Sequence, residues 1–199
     1  MLTISIQAGG QSSRMGQDKA LIPFLGRPLI EHVMNRVRHL SDEIFITTNQ
    51  PENYKFLNIP LHPDIKLGQG ALRGLYTALK VARHPLVAVI ACDMPFVNSA
   101  LLFACAKILQ DPTIDAVIPS TEFGLEPLHA VYRRERCLPP IEQALDNGKR
   151  RMIAWHGDAN IQILSPKETS LFDPDNITFW NVNTPEDFKQ AENLAADKL

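Results

Sequence analysis

The chain has few cysteines, and none of them is paired as in a metal site. Cys92, Cys105 and Cys137 are the 3 cysteines, an odd number without a C-x-x-C pair. This pattern argues against a disulfide framework and against a structural zinc site. It favours a protein of the reducing cytoplasm. We interpret Cys92, which ends an apolar run, as a small buried residue rather than as a nucleophile.

Long apolar runs and a strong net charge are also lacking. No run approaches the roughly 20 apolar residues of a membrane helix, and the N-terminus lacks the charged start of a signal peptide. The formal net charge of −2 gives no general field for nucleic acid. We therefore expect neither a membrane nor a nucleic acid as partner. With 199 residues, 45% of them apolar, the chain is expected to form one domain over residues 1–199.

Apolar runs alternate with amphipathic patterns along most of the chain. The apolar runs predict strands over residues 2–6, 43–48, 86–92, 115–119, 126–132, 161–164 and 177–180. The amphipathic patterns predict helices over residues 29–40, 71–82, 99–109 and 139–147, and another after Thr184. Strands that alternate with helices are typical of an α/β fold. We predict a three-layer, doubly wound, mostly parallel sheet with helices on both faces.

The loop after the first strand is the most informative segment. It reads Q-A-G-G-Q-S-S-R-M-G-Q-D-K over residues 7–19. Gly9 and Gly10 let a ligand come close to the backbone, and Arg14 and Lys19 add two positive charges. Backbone N–H groups and cations together suit the oxygens of a polyphosphate. The Walker pattern and the dinucleotide fingerprint do not fit, because neither G-K-[ST] nor G-x-G-x-x-G is present.

A second motif, C-D-M-P-F, follows the most apolar strand, over residues 92–96. Ligands of doubly wound sheets bind outside the carboxyl ends of the strands. Asp93 is therefore expected at the same edge as Gly9 and Asn49, each of which follows a strand. Because Mg²⁺ is commonly held by one or two carboxylates together with substrate phosphates, Asp93 is the candidate metal ligand.

These motifs resemble those of the molybdenum cofactor guanylyltransferases. The loop A-G-G-x-S-x-R-M-G-x-D-K-A-L is similar to the family's glycine-rich loop, and C-D-M-P-F is similar to its C-D-x-P-[FY] element. Four further segments match in the same order, so that the resemblance covers nearly the whole chain: G-A-L-R-G-L, E-P-L-H-A-V-Y, G-K-R-R-M and W-N-V-N-T-P-E-D. Four residues depart from the family pattern: Gln7 replaces the usual Leu, Ala71 the usual Pro, Arg73 a small residue, and Thr47 stands where some relatives have Asn.

The resemblance implies a Mg²⁺-dependent nucleotidyltransferase of the glycosyltransferase-A-like fold. Its reaction transfers GMP from GTP to the phosphate of molybdopterin and releases pyrophosphate. The implied catalytic residues are Arg14, Lys19 and Asp93, of which Asp93 holds the metal. The implied nucleotide-binding residues are Gln7, Ala8, Gly9, Gly10, Lys19, Asn49, Asp64 and Asp93. The implied acceptor-binding residues are Arg150, Arg151, Asn181 and Asn183, and the two asparagines alternate as on one face of a strand.

Other hypotheses stay open. The first is a cytidylyltransferase for the same cofactor, or a transferase acting on a sugar phosphate; the paired Gly9 and Gly10 favour the guanylyl branch. The second is a nucleotide-binding module without turnover, which the presence of both Lys19 and Asp93 disfavours. A protein partner from cofactor biosynthesis, or an enzyme that accepts the product, also stays open.

Overall fold

The three-dimensional structure is a computed structural model that describes residues 1–9, 18–68 and 70–196. Its strands are β1 (Leu2–Gln7), β2 (Pro23–Phe24), β3 (Arg27–Pro28), β4 (Glu43–Thr47), β5 (Leu61–His62), β6 (Leu86–Ala91), β7 (Ala116–Thr121), β8 (Gly124–Leu125), β9 (His129–Arg133) and β10 (Ile161–Leu164). Its α-helices are α1 (Leu29–Val37), α2 (Ala71–Val81), α3 (Ser99–Ile108), α4 (Arg134–Asp146), α5 (Pro166–Ser170) and α6 (Pro185–Ala196). Short 3₁₀ helices lie at Lys19–Leu21, Arg38–Leu40, Pro51–Leu57 and His156–Asp158.

The main sheet has the strand order β10-β7-β9-β6-β1-β4-β5, with β8 paired to β7. Strands β1, β4, β5 and β6 pair in parallel, as do β7 and β10. Strand β9 runs antiparallel to both β6 and β7. The predicted mostly parallel sheet is thus confirmed, and its one reversed long strand lies between two strands that point the same way.

The sheet is covered on both faces, as predicted. In β6, Ala88 and Ile90 pack into a core with α1 and α3, whereas Val87 and Val89 pack into a second core with α2 and α4. Successive side chains of a strand point to opposite faces, so a strand buried on both faces is apolar throughout. This explains the unbroken apolar run that predicted β6.

A third, smaller core holds the C-terminal helix. Phe188 and Ala191 of α6 pack with Val182, Phe24 and Phe96. The predicted start of this helix is confirmed, since the N–H of Asp187 donates to Oγ1 of Thr184 at 3.1 Å. Through this core, the segment before α6 packs against the loop that follows β6.

Two predicted elements begin in the wrong place. The helix predicted from residue 139 begins at Arg134 and contains Pro139 and Pro140. A proline removes the N–H that would bond the carbonyl four residues earlier, and here those carbonyls belong to two exposed residues, 135 and 136. The strand predicted from residue 126 begins at His129. Residues 126–128 therefore lie before its first residue.

The strand predicted over residues 177–180 is wrong, because that segment forms turns. The carboxylate of Asp173 accepts hydrogen bonds from the N–H groups of Ile177, at 3.1 Å, and Thr178, at 3.0 Å. Asp173 is buried. A side chain that takes up these backbone donors competes with the pairing of a strand, which the apolar pattern does not reveal.

In the described part of the chain, no helix combines the length and apolar character needed to cross a membrane.

Candidate active site

The carboxyl ends of β1, β4 and β6 lie side by side. Hydrogen bonding continues past the paired strand residues, because the N–H of Ala8 donates to the carbonyl of Thr47 at 2.9 Å. The N–H of Cys92 donates to the carbonyl of Gln7 at 3.1 Å. Cys92 and Asp93 therefore leave β6 beside the start of the glycine loop, as the strand-end rule predicts. Gly9 is exposed there, whereas the predicted Gly10 and Arg14 lie outside the described residues.

Lys19 is positioned by a short turn whose cap is fixed in the core. Asp18 caps the 3₁₀ helix, since its Oδ1 accepts from the N–H of Ala20 at 3.1 Å. The other carboxylate oxygen accepts from the hydroxyl of Tyr54, which is fully buried. Lys19, next in the chain, donates from Nζ to Oδ1 of Asn183. The turn thus presents the lysine to the C-terminal segment.

Asp93 belongs to the same group of residues. The N–H of Val182 donates to the backbone carbonyl of Asp93 at 3.0 Å, which places Asn183 beside the loop after β6. Burial raises the pKa of the Asp93 carboxyl, while the charge of Lys19 acts in the opposite direction. The structure thereby brings together three predicted site residues: Lys19, Asp93 and Asn183.

Asn181 and Asn183 do not alternate along a strand. Instead, Nδ2 of Asn183 donates to the carbonyl of Asn181 at 3.2 Å, and Nδ2 of Asn181 donates to the carbonyl of Phe179 at 3.2 Å. The two side chains thus shape the turn in front of α6, and Asn183 also accepts from Lys19.

The thiol of Cys92 does not have the features of a nucleophile. Burial, followed by the charges of Asp93 and Asp18, raises its pKa well above the usual value, and Lys19 counteracts this only in part. A reactive cysteine needs a lowered pKa. The interpretation of Cys92 as a packing residue agrees with this environment.

Asn49 and Asp64 form a second pair, next to the end of β4. Nδ2 of Asn49 donates to Oδ2 of Asp64 at 2.9 Å, and the N–H of Asp64 donates to Oδ1 of Asn49 at 3.0 Å. The following residue, Ile65, donates its N–H to Oγ1 of Thr77 on α2 at 3.0 Å. Two predicted nucleotide-binding residues therefore lie together on the β4–β5 side of the edge.

Arg73 and Gln7, two residues that depart from the family pattern, both make contacts at this edge. Nε of Arg73 donates to the carbonyl of Leu67 at 2.9 Å, and its guanidinium group lies against Gly68, whose φ is +125°. On α2, a Cβ atom added to Gly74 would lie 2.8 Å from Oε1 of Gln7. The amide of Gln7 thus fills the space left by a glycine, and its Nε2 is buried without a partner among the described residues.

The basic segment after α4 lies elsewhere along the edge. Arg150 and Arg151 are exposed. A Cβ atom added to Gly70, just before α2, would lie 2.9 Å from the carbonyl oxygen of Arg150. The predicted acceptor residues therefore fall into two places: Asn183 at Lys19, and Arg150 at the start of α2.

One charged residue of this edge was absent from the predicted site. Glu126 precedes β9, whose residue His129 pairs with Ile90 of β6, and the N–H of Ala91 donates to the carbonyl of Leu128 at 2.9 Å. Because β9 is antiparallel to β6, its beginning lies at the carboxyl end of β6. Burial raises the pKa of Glu126 to about 7, and a hydrogen bond from Thr121 acts against this shift. Residue 126 is predicted to lie in a strand, and this is why the sequence does not indicate its place at the edge.

Comparisons with known proteins agree with this geometry. The family model described as the MobA-like NTP transferase domain matches residues 4–160. A molybdenum cofactor guanylyltransferase from Desulfosudis oleivorans is 36% identical over 188 residues, which cover 94% of this chain and 92% of that protein. The chain belongs to the MobA-like NTP transferase family. The resemblance seen in the motifs is thereby confirmed over nearly the full length.

Solved structures extend the comparison of this MobA-like transferase to the fold. The molybdopterin-guanine dinucleotide biosynthesis protein A from Archaeoglobus fulgidus matches with a TM-score of 0.85 and 26% identity, over 99% of this chain and 100% of that chain. The 4-diphosphocytidyl-2C-methyl-D-erythritol synthase from Anaerococcus prevotii matches with a TM-score of 0.73 over 98% of this chain and 96% of that chain, at 14% identity. At that identity the second likeness shows the fold alone, which is the predicted one.

The half-buried carboxyl of Glu126 predicts a pH dependence of stability. Its folded pKa of about 7 exceeds the value of about 4.3 in an unfolded chain, so the folded state favours the neutral acid. The resulting destabilisation is absent at pH values below the pKa of Glu126 in the unfolded chain, and it is complete above the pKa of Glu126 in the folded protein. In chemical denaturation, Glu126→Gln should therefore raise the free energy of unfolding at about pH 8 and change it little at about pH 4.

The exposed Glu122, four residues earlier, supplies the matched control. Glu122→Gln should leave the difference between the two pH values as in the wild type. A Glu126→Gln variant with the wild-type pH dependence would show that the carboxyl is not desolvated.

Proposed function

We propose that this protein transfers GMP from GTP to the phosphate of molybdopterin and releases pyrophosphate. The observation that carries the proposal is the meeting of Lys19, Asp93 and Asn183 beside the start of the glycine loop. It occurs in a chain that is 36% identical to a molybdenum cofactor guanylyltransferase. The cytidylyltransferase hypothesis is weaker, because the cytidylyl structure named above shares the fold at 14% identity.

The reaction places few demands on proton transfer. An oxygen of the acceptor phosphate attacks the α-phosphorus of GTP, a new P–O bond forms, and the bond from that phosphorus to pyrophosphate breaks. Because the attacking oxygen is already anionic, positioning and charge stabilisation are sufficient for catalysis. Lys19 is suited to neutralise the charge that builds up on the departing pyrophosphate. Arg14 is proposed for the same role from the sequence.

A magnesium ion fits the chemistry of Asp93. Among the described residues, no three His, Cys, Asp or Glu side chains form a group that could hold a metal by themselves. Mg²⁺ is commonly held by one or two carboxylates, with the remaining ligands from phosphates and water, so one carboxylate at this edge is a suitable donor. Bound there, the ion would supply positive charge at the reacting phosphates. It would also favour the ionised form of Asp93, which burial disfavours.

We place the guanine on the β4–β5 side of the site. The ring of guanine carries an N–H donor and an amino group side by side, and Asp64 offers a carboxylate there, oriented by Asn49. Gly9 and, from the sequence, Gly10 would offer backbone N–H groups, whereas the N–H of Ala8 is already bonded to Thr47. Nε2 of Gln7, which has no partner among the described residues, adds a donor. The acceptor is assigned to Asn181, Asn183, Arg150 and Arg151. A cytoplasmic location and a protein partner stay predictions.

The choice of base tests the function most directly. Polar groups that a wrong base leaves unpaired in a closed site disfavour that base strongly. We therefore expect GTP with Mg²⁺ to raise the melting temperature more than ATP, CTP or UTP at equal concentration. In the same preparation, pyrophosphate release from GTP should depend on added molybdopterin. A larger shift with CTP would contradict the guanylyl assignment, and GTP binding without pyrophosphate release would indicate a module without turnover.

The metal role of Asp93 predicts that Asp93→Asn nearly abolishes turnover while the protein stays folded. A neutral amide replaces the carboxylate that a hard cation needs. Turnover and circular dichroism should be measured on the same sample. Asp158→Asn, at an exposed position, is the matched control and should turn over normally. Near-normal turnover of Asp93→Asn with Mg²⁺ would remove Asp93 from the metal role.

The triphosphate role of Lys19 predicts a difference between GTP and GMP. Lys19→Ala should weaken GTP binding by about 1.5–3 kcal/mol, the scale of a hydrogen bond to a charged group. GMP, which lacks the β- and γ-phosphates, should lose much less. Calorimetric titration of both nucleotides measures the difference, with the exposed Lys80→Ala as control. Equal losses for the two nucleotides would place Lys19 away from the departing phosphates.

A further inference from the structure

The order of the strands divides the carboxyl edge into two sides. Asp93 follows β6, which is in the middle of the sheet. On one side lie β1, β4 and β5, after which come Gly9, Asn49 and Asp64, all assigned to the nucleotide. On the other side lie β9, β7 and β10, and no ligand group has been assigned to their ends. The arginines and asparagines assigned above to the acceptor are suited to its anionic phosphate. Because the reaction joins two molecules at Asp93, this second side is left for the rest of the acceptor.

Glu126 occupies this second side in a fixed backbone conformation. Its N–H donates to the carbonyl of Pro119 at 2.9 Å, and its own carbonyl accepts from the N–H of His129 at 3.0 Å. The backbone of Glu126 is therefore hydrogen-bonded to the preceding strand β7 and to the following strand β9. These bonds fix the backbone of Glu126 and do not involve its carboxyl.

The carboxyl of Glu126 has unused capacity to accept hydrogen bonds. The hydroxyl of Thr121 donates to its Oε1 at 3.5 Å, which is the limit of a hydrogen bond. In the ranges that the structure describes, no cation forms an ion pair with it. A half-buried carboxylate with so few partners is costly, and a ligand with N–H donors would offset that cost.

An aromatic ring lies three residues away in the same hairpin. Phe123 is in the turn between β7 and β8 and is 99% exposed. Its N–H donates to Oγ1 of Thr121 at 3.1 Å, so Thr121 links the aromatic residue to the acid. An exposed aromatic ring and a carboxyl in one hairpin are suited to a flat heterocycle that carries N–H groups.

The acceptor contains such a heterocycle. The pterin ring of molybdopterin carries a 2-amino group next to the N3–H, and these two donors match the two oxygens of a carboxylate. Resting on the proposed function, we propose that Glu126 determines acceptor specificity by accepting both N–H groups of the pterin ring, with Phe123 covering one face of that ring. Asp64 and Glu126 would then recognise similar edges of the two substrates from opposite sides of Asp93.

Steady-state kinetics of Glu126→Gln test this role. The variant replaces one accepting oxygen by an amide N–H₂, which repels the donors of the pterin. The KM for molybdopterin should rise roughly tenfold or more, the effect of losing a charge-assisted hydrogen bond, while kcat and the thermal shift with GTP change much less. Glu122→Gln, on the same hairpin, should keep the wild-type KM. An unchanged KM in Glu126→Gln would overturn the proposal and leave the transfer reaction intact.

Binding of free pterin separates the two proposals. Binding is measured by the fluorescence of pterin, in the presence of saturating GDP to occupy the guanine side. Lumazine, which has an oxo group in place of the 2-amino group, is the matched probe. The wild type should bind pterin more tightly than lumazine, and Glu126→Gln should lose this preference. If that holds while no GMP reaches molybdopterin, the proposed function fails and the recognition of the pterin ring by Glu126 stands. Equal binding of the two probes by the wild type, or no binding of pterin at millimolar concentration, overturns that role.

Discussion

The site depends on backbone hydrogen bonds that continue beyond the end of β1. Ala8 donates to Thr47 on one side, and its neighbour Gln7 accepts from Cys92 on the other. These two bonds fix the start of the glycine loop relative to Asp93 before any side chain makes a contact. A slip of one residue between paired strands would turn every side chain to the opposite face. Because β1 and β6 are buried on both faces, such a slip would also bury the wrong residues, so packing and site geometry enforce the same register.

The C-terminal segment completes the site through a second constraint. Lys19 and Asn183 are 164 residues apart in the chain, yet their side chains are hydrogen-bonded. They meet because Phe188 of α6 packs in the small core with Phe24 and Phe96, and because Val182 bonds to the backbone of Asp93. A modest apolar cluster thus positions a polar contact at the centre of the site. Loss of packing in that cluster would disturb the contact between Lys19 and Asn183 without touching the pair of Asn49 and Asp64.

The parts that were predictable from the sequence are those that follow from local pattern. The apolar run of β6 identifies a central strand, and the strand-end rule then places Asp93 next to Gly9. The contact between Lys19 and Asn183 was not predictable, because it depends on how α6 packs. The turn at Ile177 was missed since its apolar residues suit a strand while the Asp173 side chain binds their N–H groups. In both cases the deciding interaction lies outside the pattern of the segment itself.

Glu126 and Asp93 show why burial alone does not define the role of a carboxyl. Burial raises the pKa of both. Near Asp93, the positive charge of Lys19 favours ionisation, and a divalent ion accompanying the phosphates would act in the same direction. Near Glu126, the opposing influence is a hydroxyl from Thr121, which offers one weak donor. The first environment is suited to phosphates and their counter-ion, and the second to a neutral ring with N–H donors. Two carboxyls at one sheet edge can therefore serve two substrates because their neighbours, rather than their burial, differ.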